Sequence, residues 1–355
     1  MRDYTVENVL KLTANRKPNF DNLLAVLNKK TPARPTLFEF FLNDPLEAKL
    51  AQADAGKVLS PPDGDVYYQQ KIKAFRNAGY DYVTLDASTF GFKIEEEGRE
   101  RKASVSANHS STIVDWDTFN SYEWENPCDY YDGRLERLKK HLPDGMKFIV
   151  FGNGGVLENV LRLTGFDNLC YMTIDEPELV QAIADNVGQR LYDYYKQIVD
   201  YDCVGAIISN DDWGFNTQTM LSTEDMRKYI IPWHKKIAAL AHKAGKPAIL
   251  HSCGNLEFVY DDIINDIKFD GKHSYEDKIE PVEQAYDKLK GKLAVLGGID
   301  VDFVCRAPID DVFERSLAMA KKTNCEGFAL GTGNSVPYYV PDEKYLAMIL
   351  AALVE

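Results

Sequence analysis

Eight short apolar runs, centred near residues 37, 83, 149, 206, 249, 272, 296 and 329, each precede a stretch whose apolar residues have helical spacing. That alternation constrains the chain more than any other feature, because strands each followed by a helix pair in parallel with the helices as crossovers. Eight such units suit closure into a ring, so the expected fold class is α/β, a (β/α)8 TIM barrel. A doubly wound open sheet is the alternative, but no GxGxxG follows the first run to support a dinucleotide fold. A chain of 355 residues has an ordinary length for one such barrel with insertions, so 1–355 reads as a single domain.

Two helical pieces, 5–13 and 20–27, precede the first strand, 35–41. Residues 1–34 thus read as an N-terminal helical extension, either a cap or the contact of a homodimer. After the second strand, 80–86, the segment 88–129 turns irregular and includes a charged run from Glu95 to Lys102. A loop of that length reads as an insertion near the mouth of the site. Its Trp116, Tyr122 and Trp124 either line a pocket or pin the loop down.

The formal charge of −14 is spread without a basic block, which argues against nucleic acid and anionic membrane surfaces as partners. The opening MRDYTVENVLKLTANRK has no apolar core of a leader, and no apolar run nears the roughly 20 residues that span a bilayer. A cytoplasmic protein is expected. Cys128, Cys170, Cys203, Cys253, Cys305 and Cys325 lie far apart with no CxxC, as reduced thiols do.

In a barrel the chemistry sits at the carboxyl ends of the strands, and there the sequence keeps Asp86, Asp211, Asp212, His251, Cys253, Glu276, Asp300 and Asn334. His251 and Cys253 are two apart at the end of an apolar strand, so both side chains point the same way. Nitrogen and sulfur donors together select a borderline-soft ion, Zn2+. Glu276 on the next strand is the natural third ligand, and Asn334 or a water the fourth. Asp86 and Asp211 are the candidate catalytic carboxylates, orienting substrate or handling protons; Asp212, Asp300 and Asn334 are candidate substrate contacts. The bland readings remain open: a buried histidine beside a free cysteine, Asp300 capping a loop, Asp212 at a helix start. His273 is read as a polar interior residue, and His109, His141, His234 and His242 are assigned no chemistry.

Ser209-Asn-Asp-Asp-Trp-Gly214, the stretch Leu221 to Pro232, Ile249-Leu-His-Ser-Cys-Gly-Asn255 and Leu296-Gly-Gly-Ile-Asp300 together resemble the uroporphyrinogen decarboxylase superfamily. Within it they resemble the methyltransferase branch that acts with corrinoid proteins, over nearly the whole chain. The resemblance implies a zinc site at the His-x-Cys pair, here His251 and Cys253, with Glu276 at the acidic position of related zinc methyltransferases. A third cysteine after the last strand in methylcobalamin:coenzyme M methyltransferases is replaced by Asn334. Asp86 matches the catalytic aspartate of the decarboxylase itself. That enzyme's arginine-rich stretch is here Glu39-Phe-Phe-Leu-Asn-Asp44, and its late histidine is Thr332.

The implied activity is transfer of a methyl group between a corrinoid and a small methyl donor or thiol acceptor. The corrinoid would arrive on a partner protein, since no Asp-x-His-x-x-Gly motif is present to carry it. A decarboxylase-like lyase on a small carboxylate and a non-catalytic ligand-binding barrel are the alternatives.

Overall fold

Runs such as Ala248-Ile-Leu are apolar on both faces, which suits strands covered from both sides. Seven of them form one parallel, curled sheet in the order of the sequence: β1 (Tyr82–Asp86), β2 (Lys147–Phe151), β3 (Val204–Asn210), β4 (Ala248–His251), β5 (Gly271–His273), β6 (Ala294–Leu296) and β7 (Phe328–Ala329). The computed structural model describes residues 2–53, 58–94 and 112–354. Among the described residues no helix is long and apolar enough to cross a membrane.

The eighth run, 35–41, behaves differently. It meets β7 through the isolated pair Leu37 and Leu330, where Phe38 N–H donates to the Leu330 carbonyl and Leu330 N–H to the Thr36 carbonyl, both at 2.8 Å. Toward β1, side chains replace the ladder. The Tyr82 hydroxyl donates to the Glu39 carbonyl and the Thr84 hydroxyl to the Phe40 carbonyl, each at 2.7 Å. These hydroxyls occupy the place of neighbouring backbone N–H groups, so the expected first strand is a bridging segment between the two sheet edges. Such a sheet is consistent with a TIM-like barrel.

Helices Val156–Thr164 and Asp342–Leu353 follow β2 and β7. Asp342–Leu353 is buried continuously from Tyr345 to Ala352, and the helix Val6–Thr13 packs against it. The hydroxyl of Thr13 also donates to the Asn77 carbonyl at 2.6 Å. That N-terminal helix thus packs on its own chain. Pro232 lacks the N–H an α-helix needs, and a π-helical turn, Met226–Ile230, precedes the helix Ile231–Lys243 that contains it. Between β4 and β5, where the alternation calls for a helix, the chain forms a 3-10 turn, Glu257–Val259, and a π turn, Asp262–Ile267. Helices Asp44–Leu50 and Phe166–Asp175 were not anticipated from the sequence.

In the described part of the 88–129 insertion, Trp124 packs on Tyr122 and Phe119 with ring centroids 4.6 and 5.6 Å apart, beneath the Arg190 guanidinium at 4.9 Å. These aromatics pin the loop. The run from Glu95 to Lys102 lies outside the described residues.

Thr84→Val keeps the shape of a fully buried side chain but leaves the Phe40 carbonyl without its donor. A loss of about 1–3 kcal/mol is expected, read as a lower urea midpoint at unchanged slope. An unchanged midpoint would show that this seam does not depend on side-chain donors.

Candidate functional site

Strand register brings the ends of β3, β4 and β5 side by side, with Asn210 opposite His251 and His251 opposite His273. Residues two apart share a face, so Asp212 and Cys253 carry on the face begun by Asn210 and His251. The two loops are then tied together. Asp211 N–H donates to the His251 carbonyl at 2.9 Å, Trp213 N–H to the Ser252 hydroxyl at 3.1 Å, and Cys253 N–H to Asp212 Oδ1 at 2.9 Å. Gly254, at φ +87°, lets them approach: a Cβ there would stand 2.1 Å from the Gly214 carbonyl oxygen.

Asp212, His251 and Cys253 consequently present one ligand atom each within 4.8 Å of one another. His251 Nδ1 is engaged with His273 Nδ1 at 2.8 Å, which leaves Nε2 as the nitrogen for an ion. Burial lowers the His251 pKa to about 4 against the opposing pull of Asp212, so the imidazole is neutral near pH 7, as a ligand must be. The sulfur of Cys253 accepts from the Ser274 hydroxyl and from Asn334 Nδ2, each at 3.3 Å. Burial first, and Asp212 second, push the thiol up to about 12. A nitrogen, a sulfur and a carboxylate oxygen this close fit Zn2+, which would hold the sulfur as thiolate.

Four expected residues are placed otherwise. Glu276 does not belong to the metal-sized group; the strand ends at His273, the chain turns through Ser274 at φ +88°, and Glu276 lines a separate cavity with Lys272. Asp211 does not face the site either. Fully buried, its carboxylate accepts from Leu157 N–H, Glu158 N–H, Trp213 Nε1 and His234 Nε2 at 2.8–2.9 Å, joining β3 to the starts of two helices. Gly155 permits this, since a Cβ there would lie 2.1 Å from Asp211 Cβ. Asp300 caps the helix Val301–Arg306 through Phe303 N–H and takes Asp277 N–H on its other oxygen, both at 2.9 Å. The Asn334 amide turns its nitrogen to the sulfur, while its oxygen accepts from Ser335 N–H at 2.8 Å.

Asp86 stands apart from the metal group and lines a cleft of about 640 Å3. Its carboxylate is held by Arg134 Nη1 at 2.6 Å and the Tyr68 hydroxyl at 2.9 Å, with a third of the side chain exposed. Phe40, Phe41 and Phe151 connect the two regions: Phe40 packs on the His251 ring at 4.7 Å and on Phe151 at 5.0 Å, and Phe41 and Phe151 line the cleft. The same cleft holds Lys71, Arg162 and Glu158. Burial, and then the charges of Asp211 and Asp212, raise the Glu158 carboxyl to about 8. Glu158 escaped sequence reasoning because it sits on the first turn of a helix; its one signal was the turn Gly152-Asn-Gly-Gly155 just before it.

A family model described as Uroporphyrinogen decarboxylase (URO-D) matches residues 72–353. Among solved structures, a methyltransferase from Methanosarcina mazei is similar at 14% sequence identity and a TM-score of 0.66, covering 93% of this chain and 97% of that one. No curated protein sequence matches the chain.

Two outcomes follow from this geometry. Asp211→Ala strands four buried donors, so a stability loss of about 3 kcal/mol or more is expected in urea unfolding, with metal binding retained by the folded fraction. The raised Glu158 carboxyl binds its proton more tightly folded than unfolded; its contribution is complete below the ordinary value of 4.5 and is lost as pH climbs to about 8. Glu158→Gln should therefore lose less stability than the parent between about pH 5 and pH 8. Identical pH slopes for the two proteins would refute the burial of that charge.

Proposed function

The chain belongs to the uroporphyrinogen decarboxylase family, and from that premise we propose that it is a zinc-dependent methyltransferase working between a corrinoid protein and a small methyl donor or thiol acceptor. The observation that carries this reading is the convergence of Asp212, His251 and Cys253 within 4.8 Å. A structural likeness at 14% identity supports the fold alone. In this reading the sheet and its bridging segment form a (β/α)8 barrel in a cytosolic protein, with the corrinoid delivered by a partner.

Zinc held by these three residues would bind a thiol as its anion, making a nucleophile available at neutral pH. The chain's own groups prepare for that charge. His251 offers a neutral nitrogen whose orientation His273 fixes through the 2.8 Å contact. Ser274 and Asn334 donate to the Cys253 sulfur and so favour its charged form. Asn334 stands where the branch keeps a cysteine, and here supports a sulfur ligand from its outer side; Asp212 supplies the third donor. Phe40, Phe41 and Phe151 exclude water beside His251. Asp86, anchored by Arg134, orients a substrate in the cleft, and Glu158 holds a proton there.

A second reading rests on Asp86, which matches the family's catalytic aspartate and faces the larger cleft: a lyase acting on a small carboxylate. Lys71 and Arg162 line that cleft and would meet such a charge. The readings part on metal dependence, because the lyase needs neither His251 nor Cys253.

The purified protein should hold about one zinc ion per chain, lost in His251→Ala and in Cys253→Ala and bound about 10–100-fold more weakly in Asp212→Asn. With His251 already neutral and the thiol near 12, affinity should rise about tenfold per pH unit between pH 6 and 8, for one proton released by Cys253. Thiol-dependent demethylation of methylcobalamin should vanish with the metal. A folded protein that binds no zinc, or an activity indifferent to these substitutions, would reject the proposal.

A further inference from the structure

Behind β5, on the face away from His251 and His273, lies a second cavity of about 270 Å3, between the strand, the turns over 257–267 and the helix Val282–Leu289. Its volume falls just under the roughly 300–1,000 Å3 of pockets for drug-sized ligands, which suits a small metabolite. Lys272 reaches into it from the outward side of the strand, where its register partner on β4 is Leu250. A lysine only 2% exposed between a sheet and its helices is an expensive choice for structure alone. Among the described residues its ammonium meets one hydrogen-bond acceptor, the Ser274 carbonyl, and the face of the Tyr275 ring at 4.3 Å. An ammonium has three donors, so two remain for an acceptor in the cavity. Tyr275 lines the same cavity, and its buried hydroxyl has no hydrogen-bond partner among the described residues. Buried polar groups are rarely left so unless something outside the chain completes them.

The charges of the lining select among ligands. Lys272, Lys288 and Lys292 face Glu257, Glu276 and Glu280, and Lys288 is already paired with Glu280. A ligand of either net sign would meet as much repulsion as attraction. A dipolar one would not. We propose that this cavity is a binding site for a small zwitterion of amino-acid size, its carboxylate on Lys272 and its ammonium on Glu276, separate from the metal group. Ser274 joins the two places: its carbonyl accepts from Lys272 while its hydroxyl donates to the Cys253 sulfur, in a left-handed backbone conformation at φ +88°.

Isothermal titration of the full chain with glycine, β-alanine and 4-aminobutyrate, and with butyrate and butylamine as charge controls, tests this. At least one zwitterion should bind at one per chain and about tenfold or more tighter than either control. Lys272→Met should abolish that binding, and Glu276→Gln, on the cavity rim, should weaken it about tenfold. Equal binding of butyrate or butylamine, no zwitterion binding, or undiminished binding in Glu276→Gln would overturn the proposal. The last variant decides the matter if Lys272→Met does not fold. Zinc content, measured on the same samples, reports on the metal group independently.

Discussion

Parallel register across three short strands is the constraint on which the rest of the molecule depends. Asn210, His251 and His273 lie opposite one another, and each strand then sends every second side chain to the same face. That parity places Asp212 beside Cys253 and sends Asp211, one residue away, into the helix layer. One face receives the three residues of the candidate metal group; the other receives a buried carboxylate that ties two helices to the sheet. The stapled loops, with Gly254 against Gly214, hold the three donor atoms within 4.8 Å of one another.

Much of this was legible in the residues. Alternating apolar runs and amphipathic stretches announce the parallel sheet and its order, and His251 and Cys253 are two of the three residues that converge in the candidate metal group. Asp211 and Asp212 were both placed at the site, yet only Asp212 lies with His251 and Cys253, since a run of two acids does not announce which one faces inward. Glu276 was favoured as the end of a strand, yet that strand stops at His273, and the left-handed turn at Ser274 carries Glu276 to the outer cavity. The bridging of 35–41 by hydroxyls of Tyr82 and Thr84 depends on residues over forty positions away, which no local pattern reveals. Glu158 was missed for a similar reason: its environment is made by Asp211 and Asp212, distant in sequence.

The sulfur of Cys253 draws the chemical features together. Burial opposes its charge, while Ser274 and Asn334 supply two donors that favour it. An ion bound beside it would tip that balance fully. Asn334 thereby gains a positive role at the position where the resembling branch keeps a thiolate, and the exchange leaves one sulfur in the group.

X-ray absorption at the zinc edge of the metal-loaded protein addresses this most directly. One sulfur at about 2.3 Å with nitrogen and oxygen donors at about 2.0–2.2 Å is expected for Cys253, His251 and Asp212. A shell with no sulfur, or with two or more, would contradict it.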